Sequence, residues 1–425
     1  MKILHINSVD NSGGAARAAF SLHNGLKKQG HASSMFVASK YSNDPDVKVF
    51  LPPQNILSKV KSKIRREINL FQYKHNTKTK PAGYDFFSDI RSQYHSELVE
   101  QLPDHDIVNL HWVAGFIDYK YFFCKNPKPI PTIWTLHDMN AFTGGCHYNS
   151  GCNKFYNSCG ACPQLGSDNT SDFSFQIWQR KYKVYNSIPP YKLHFVTPSQ
   201  WLFEEIKKSS LLKRFSASLI PYSLDTDIFL PRNAKAFRES LGISNNVKIL
   251  LFVSDSMANH RKGFAFFSEA IENLTNIENL LLVSVGNGPP KINISIPHLH
   301  LGRIENDLFL SLIYSMSDIF IIPSLQDNLP NTVLESFACG TPVIGFDVGG
   351  IPDMVRPGIT GFLASPQDID DLRDNIQKAL NNPQLLKEMR ANCRRIVMEE
   401  YSLEIQAQRY LALYQEIIEN IIDLH

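Results

Sequence analysis

No stretch of this chain approaches the roughly 20 consecutive apolar residues that a membrane-spanning helix needs. A secretion signal is missing as well: the apolar part of MKILHINSVD is short, lacks a cleavage site and reads as a strand. Both absences point to a soluble, cytoplasmic protein. Nor does one sign of charge dominate, since 43 Lys and Arg face 41 Asp and Glu, and a net +2 identifies no partner. Without a recognised nucleic-acid-binding module, no nucleic-acid partner is expected. Internal repeats and low-complexity tracts are lacking. So is the dinucleotide fingerprint GxGxxG after the first strand, where the chain reads SGGAA.

What is present is α/β patterning in two series. A length of 425 residues suggests two domains of about 200 each, and 43% hydrophobic residues suit a globular core. Lys2 to Asn7 reads as a strand, Ser12 to Ala16 as a glycine loop, and Ala15 to Gln29 as a helix stopped by Gly30. Further strands are expected at Met35 to Ala38, Ile107 to His111, Thr132 to Leu136 and His194 to Thr197. Ile220 to Pro231 is turn-rich and reads as a linker. Its Asp225-Thr226-Asp227 mimics a metal-binding DxD but is read as a turn. The second series has strands at Val247 to Val253, Leu280 to Val285, Ile319 to Ile322 and Val343 to Phe346. A long amphipathic helix, about Leu403 to Ile422, follows.

The most informative stretch is Ile319 to Asp353, IFIIPSLQDNLPNTVLESFACGTPVIGFDVGGIPD. An apolar strand turns through Pro323 and Ser324 into a polar loop, and a helix follows from Thr332 to Ala338, ended by Gly340. In open α/β folds such loops, at the carboxyl ends of strands, bind ligands. A helix starting near Asn331 presents free N–H groups and the positive end of its dipole, which suits a phosphate. Asp327 and, eight residues on, Glu335 can each accept hydrogen bonds from vicinal hydroxyls. A phosphate flanked by two sugars describes a nucleotide sugar.

Asp327 and Glu335 match the carboxylate-x7-Glu motif of retaining glycosyltransferases with the GT-B fold, glycosyltransferase family 4, with Asp in place of the usual first Glu. PSLQDNLPNTVLES and ACGTPV resemble the subgroup found in bacterial exopolysaccharide and colanic-acid-type gene sets. The resemblance runs from Met1 to about Tyr410 and is weak between Tyr41 and Gln101. It implies two Rossmann-like, doubly wound domains facing a cleft. Residues 1–220 would bind the acceptor, 221–400 the nucleotide sugar, and a helix in 401–425 would cross back to the first domain. It also implies transfer of a hexose with retention to a glycan or lipid-linked oligosaccharide, on domain closure, with the donor phosphate helping to deprotonate the acceptor. Neither a protein nucleophile nor a catalytic metal is needed, and no cofactor beyond the nucleotide-sugar co-substrate.

The same resemblance assigns roles. Glu335 would hold the ribose and Asp327 the sugar hydroxyls. Asn328, Leu329, Pro330, Asn331, Thr332 and Lys262 would hold the diphosphate, with Lys262 stabilising charge on the leaving nucleotide. His137 would contact the reacting sugar, Gly13 and Gly14 would face donor phosphate and acceptor, and Gly286 and Gly288 would approach the nucleotide. Gly349 and Gly350 make a similar close-approach loop or an ordinary turn. His111, Trp112 and Asp138 are acceptor-side candidates, with packing the better reading for Trp112. One departure stands out: where the family carries an Arg after the first strand of this domain, the chain has Ser254 and Asp255. Arg261 is a substitute, but adjacent residues of a helix at NHRKG point about 100° apart, so it should not duplicate Lys262. An epimerase on the same fold and a non-catalytic sugar-nucleotide-binding subunit are the rival readings.

Two features stand outside that pattern. Cys146, Cys152, Cys159 and Cys162 fall in one strip, spaced x5, x6 and x2, inside a presumptive insertion at 139–175. Four thiolates make a tetrahedral zinc site, whereas free or paired structural cysteines are the alternatives. Cys124, Cys339 and Cys393 read as small hydrophobes. Lys59 to Lys80 carries eight cations against Glu67, interleaved with apolar residues. That suits a solvated helix or peripheral contact with anionic lipid at the inner face of a membrane.

Overall fold

A computed structural model describes residues 1–125, 131–272, 274, 279–289 and 295–422. The chain forms two compact units, Met1–Pro221 joined by the segment from Gln406 onward, and Tyr222–Ile405. Residues 423–425, the end of the expected C-terminal segment, lie outside the described residues.

The first unit is built on a parallel seven-stranded sheet: β1 (Lys2–Val9), β2 (Ala32–Ser39), β3 (Val47–Val49), β4 (Ile107–Leu110), β5 (Thr132–Thr135), β6 (Leu193–Thr197) and β7 (Ala217–Leu219). Their order is β3-β2-β1-β4-β5-β6-β7. The second unit repeats the plan with β8 (Lys248–Ser256), β9 (Leu280–Asn287), β10 (His298–His300), β11 (Ile319–Ile322), β12 (Val343–Phe346) and β13 (Gly361–Ala364), ordered β10-β9-β8-β11-β12-β13. Every neighbouring pair in that order runs parallel. Central strands such as IVNL of β4 and IFII of β11 are buried throughout, as expected where helices cover both faces of a parallel sheet. The strand order reverses between β1 and β4 and between β8 and β11. Those two points are where such sheets bind ligands.

Expected strands and observed strands agree within a few residues, but four were missed. β3, β7, β10 and β13 span only three or four residues, and β7 and β10 contain no buried residue at all. Edge strands this short carry no usable periodicity. β8 and β9 also run further than expected, to Ser256 and Asn287, past a register shift after Val253.

The helix Leu403–Ile422 packs into the first unit. Ala407, Tyr410, Leu413, Tyr414 and Ile417, at helical spacing, share one core cluster with Ile3, Leu22, Ile107, Ile133 and Val196. Its tyrosines also solve a polar problem. Asn109 and Thr135 are buried inside central strands, and Asn109 Nδ2 donates to Tyr414 Oη at 2.9 Å while Thr135 Oγ1 lies 2.9 Å from Tyr410 Oη.

Candidate functional site

In the second unit, the helix Asn331–Ala338 follows the loop at the carboxyl end of β11. Pro330 occupies its N-cap position, and its ring supplies no capping hydrogen bond. Asn328, Leu329 and Glu335 are buried around this helix start. The Glu335 carboxylate is held by the Tyr314 hydroxyl, which donates to Oε2 at 3.0 Å. Asp327 gathers more partners: Lys262 Nζ at 2.6 Å, Ser324 Oγ at 3.3 Å and Arg261 Nη1 at 3.5 Å. Burial pushes the Asp327 carboxyl up, but the charges of Lys262 and Arg261 outweigh it and leave the group below the usual carboxylate range.

The NHRKG segment is not the opening of an α-helix. It forms a 3₁₀ turn, His260–Lys262, closed by left-handed Gly263, and the helix begins afterwards at Phe264. This corrects the argument from 100° helical spacing, because Arg261 and Lys262 both reach Asp327. The turn lies against the loop after β11: Leu325 N donates to Arg261 O, Arg261 Nη1 donates to Gln326 O, and a Cβ on Gly263 would meet Pro323 O at 1.7 Å. Gly349 plays a matching part from the other side. Gly350 N donates to Asp327 O at 3.0 Å, and a Cβ on Gly349 would sit 1.9 Å from that oxygen. Gly286 lies close to protein backbone in the same way, since a Cβ there would sit 2.3 Å from Ser254 O, whereas Gly288 faces open space. Asp225 accepts from Asp227 N at 3.0 Å, which makes DTD a turn.

The other sequence candidates lie in the first unit. Gly13 takes φ +86° with nothing within 4 Å of a Cβ there, and Gly14 begins the helix Gly14–Lys28. His111 follows β4, and His137 lies just past β5. Because β1, β4 and β5 are neighbours, a third histidine comes into line. His5 Nδ1 is 2.9 Å from His111 Nε2, and His111 Nδ1 is 3.0 Å from His137 Nε2. All three are buried, and burial depresses each of them, His137 to about 4. His5 Nε2 is buried with no hydrogen-bond partner. An orphaned N–H costs more than an orphaned lone pair, so the His5 proton sits on Nδ1 and donates to His111. His111 then donates from Nδ1, and His137 carries its own proton on Nδ1.

Beside His137 a cavity is lined by Trp112, Ala114, Asp138 and His147. Asp138 Oδ2 accepts from Trp112 Nε1 at 3.0 Å and pairs with His147 Nδ1 at 2.6 Å. Trp112 is thus a hydrogen-bonding member of the wall, more than the packing residue expected. Sequence reasoning missed His5, His147, Tyr314 and Ser324. Only His5 left a trace, as a polar residue inside an apolar strand pattern.

Cys146, Cys152, Cys159 and Cys162 ring a single cavity, and Gly144 N donates to Cys159 Sγ at 3.0 Å. All seven cysteines are free, and among the described residues no three His, Cys, Asp or Glu side chains are disposed to hold a metal ion. Cys339 and Cys393 are buried as expected, but Cys124 is exposed, with Ser187 Oγ 3.1 Å away.

Residues 233–396 match the model of the family Glycosyl transferases group 1. An uncharacterized glycosyltransferase of Methanocaldococcus jannaschii is 25% identical over 74% of this chain and 76% of its own. N,N'-diacetylbacillosaminyl-diphospho-undecaprenol alpha-1,3-N-acetylgalactosaminyltransferase of Campylobacter jejuni is 27% identical over 56% of this chain and 65% of its own. The chain spans about half the length of several other curated relatives, 52% in two cases and 53% in a third. Among solved structures, Anabaena HepE in complex with UDP-glucose superposes with a TM-score of 0.63 at 13% identity, covering 98% of this chain and 100% of that one. The fold is that of the GT-B glycosyltransferases, and the family match agrees with a glycosyltransferase.

Proposed function

We propose that this chain is a retaining, metal-independent hexosyltransferase of the family 4 type. It would move a hexose from a nucleotide sugar to a glycan or lipid-linked oligosaccharide, at the inner face of a membrane, in the assembly of a bacterial surface polysaccharide. One observation carries the reading: inside the family-matched segment, a carboxylate paired with two cations stands beside a helix start with proline at its N-cap, and a second buried carboxylate lies one turn into that helix.

Each part has a chemical use. Lys262 and Arg261 neutralise Asp327 as the structure stands. An entering diphosphate competes for both cations and for the N–H groups of Asn331 and Thr332. Asp327 then turns its lone pairs to the hydroxyls of the transferred sugar, while Tyr314 keeps Glu335 aimed at the ribose. As the glycosidic bond breaks, negative charge grows on the leaving diphosphate, and fixed cations stabilise it most at that moment. His137, neutral and protonated on Nδ1, suits a contact with the reacting sugar better than proton abstraction.

The test is a thermal-shift panel against UDP-, GDP-, dTDP- and ADP-linked sugars, with Glu335→Ala as control. A ligand that binds only the native state raises the melting temperature by mass action, about 2.7 kcal/mol at a hundredfold excess over Kd. A shift for one nucleotide, absent in the variant, is expected. No shift with any of them sinks the donor assignment.

A further inference from the structure

One helix of the first unit presents a surface that this function does not use. Ile56–Asn76 runs 21 residues, and Ser62 is its only buried residue. Of the 18 large hydrophobic side chains exposed among the described residues, 7 lie on it, so the exposure is concentrated and not scattered. At about 100° per residue, Ile56, Leu57, Val60, Ile64, Ile68 and Phe71 fall within an arc of about 120°. Ile56 is 81% exposed and Phe71 72%.

The opposite side fastens the helix to its own unit. Tyr73 packs against the first unit's core, Arg65 Nη1 donates to Glu97 Oε1 at 3.1 Å, and Arg91 Nη1 donates to Gln72 Oε1 at 2.7 Å. The apolar arc therefore faces away from the first unit. Exposed cations border it: Lys59, Lys63 and Arg66 on one flank, Lys61 on the other, and Lys74 at its margin. Glu67, the only acid on the helix, falls inside the arc near its Ile56 edge. An apolar stripe bordered by cations, three on one flank and one on the other, is the signature of a helix lying in a membrane interface, its apolar side among the acyl chains and its cations at the headgroups. Water alone gives no reason for six large apolar side chains to share one outward arc.

We propose that the helix Ile56–Asn76 docks the first unit onto an anionic phospholipid surface, inserting the Ile56–Phe71 stripe between headgroups that pair with the flanking lysines and arginines. Charge complementarity selects this occupant over a neutral apolar groove or a second copy of the chain, whose matching helix would be equally cationic. The proposal extends the acceptor side of the function above, and its test needs no transfer activity, so either can fail alone.

The experiment is co-sedimentation of the full chain with vesicles of phosphatidylcholine, with and without added phosphatidylglycerol, at low and high salt. Binding should require phosphatidylglycerol, weaken with salt, and fall at least about tenfold in the double variant Ile64→Glu, Phe71→Glu. Both sites are exposed, so the variant should keep the parent's melting temperature, which is measured alongside. Lys59→Glu with Lys63→Glu should weaken binding similarly. Equal binding to both vesicle types overturns the proposal, as does loss with the charge variants but not the apolar ones. Sedimentation of lipid-free protein as a dimer that the apolar variant dissociates would give the stripe to a second copy instead.

Discussion

At the scale of single residues, Asp327 joins the two halves of the donor chemistry. Lys262→Met removes its shortest ion pair and leaves a buried carboxylate with Arg261 at 3.5 Å. Lys262 is itself about one-fifth exposed and Arg261 remains beside the carboxylate, so the expected loss falls below that of a fully buried pair, about 1–3 kcal/mol by denaturant titration. Transfer should fall about a hundredfold or more, because the growing charge on the leaving diphosphate loses its cation. The histidine chain yields a separate expectation. Nitrogen NMR of histidine-labelled protein at neutral pH should show His137 protonated on Nδ1, and His5→Phe should release His111 and His137 to mixed tautomers. His137 found protonated on Nε2 in the parent would break the chain as drawn.

At the scale of elements, glycines hold the candidate site by letting backbones meet. Gly263→Ala demands φ +72° from alanine and sets its Cβ 1.7 Å from Pro323 O, so the turn bearing Arg261 and Lys262 must leave the loop after β11. A cost of at least about 2–4 kcal/mol is expected, with weaker nucleotide-sugar binding in the same preparation. Gly288→Ala, with open space around it, should show only the strain of its positive φ. The cysteine insertion behaves as an element too. Burial raises Cys146, Cys159 and Cys162, Cys159 to about 12, so native protein should react with a thiol reagent at exposed Cys124 and spare these three. A structural zinc, one of the alternative readings of the four clustered thiols, is the rival. Elemental analysis finding about one zinc per chain, lost in Cys159→Ser, would decide for it.

For the whole molecule, acid should be more harmful than a net charge near zero suggests. His5, His23, His111 and His137 are buried, and burial lowers all four, His23 and His137 to about 4. Unfolded, each takes up a proton near pH 6.5. The unfolded chain therefore binds more protons below that pH, and stability is full above about 6.5 and lost progressively as pH falls toward 4. Melting temperature measured from pH 7.5 to 5 should decline steadily. A flat profile would mean that the imidazoles are solvated.

Sequence by itself determined the alternation of strands and helices, because apolar runs between turn residues reveal buried parallel strands wherever four or more residues are covered on both faces. β11 and β12 were legible to the residue for this reason. It also placed Asp327, Glu335 and the helix between them, since their relation is local in the chain. Only the tertiary structure decided what depends on neighbours far apart in sequence. Arg261 and Lys262 converge because a 3₁₀ turn replaces the expected helix, and that turn is set by packing on a loop about 60 residues away. His5, His111 and His137 form a chain because β1, β4 and β5 are adjacent, an order no local pattern encodes. The stripe on Ile56–Asn76 had the same composition whether core or surface. Which side faces outward was settled by the contacts of Arg65, Gln72 and Tyr73 on the other.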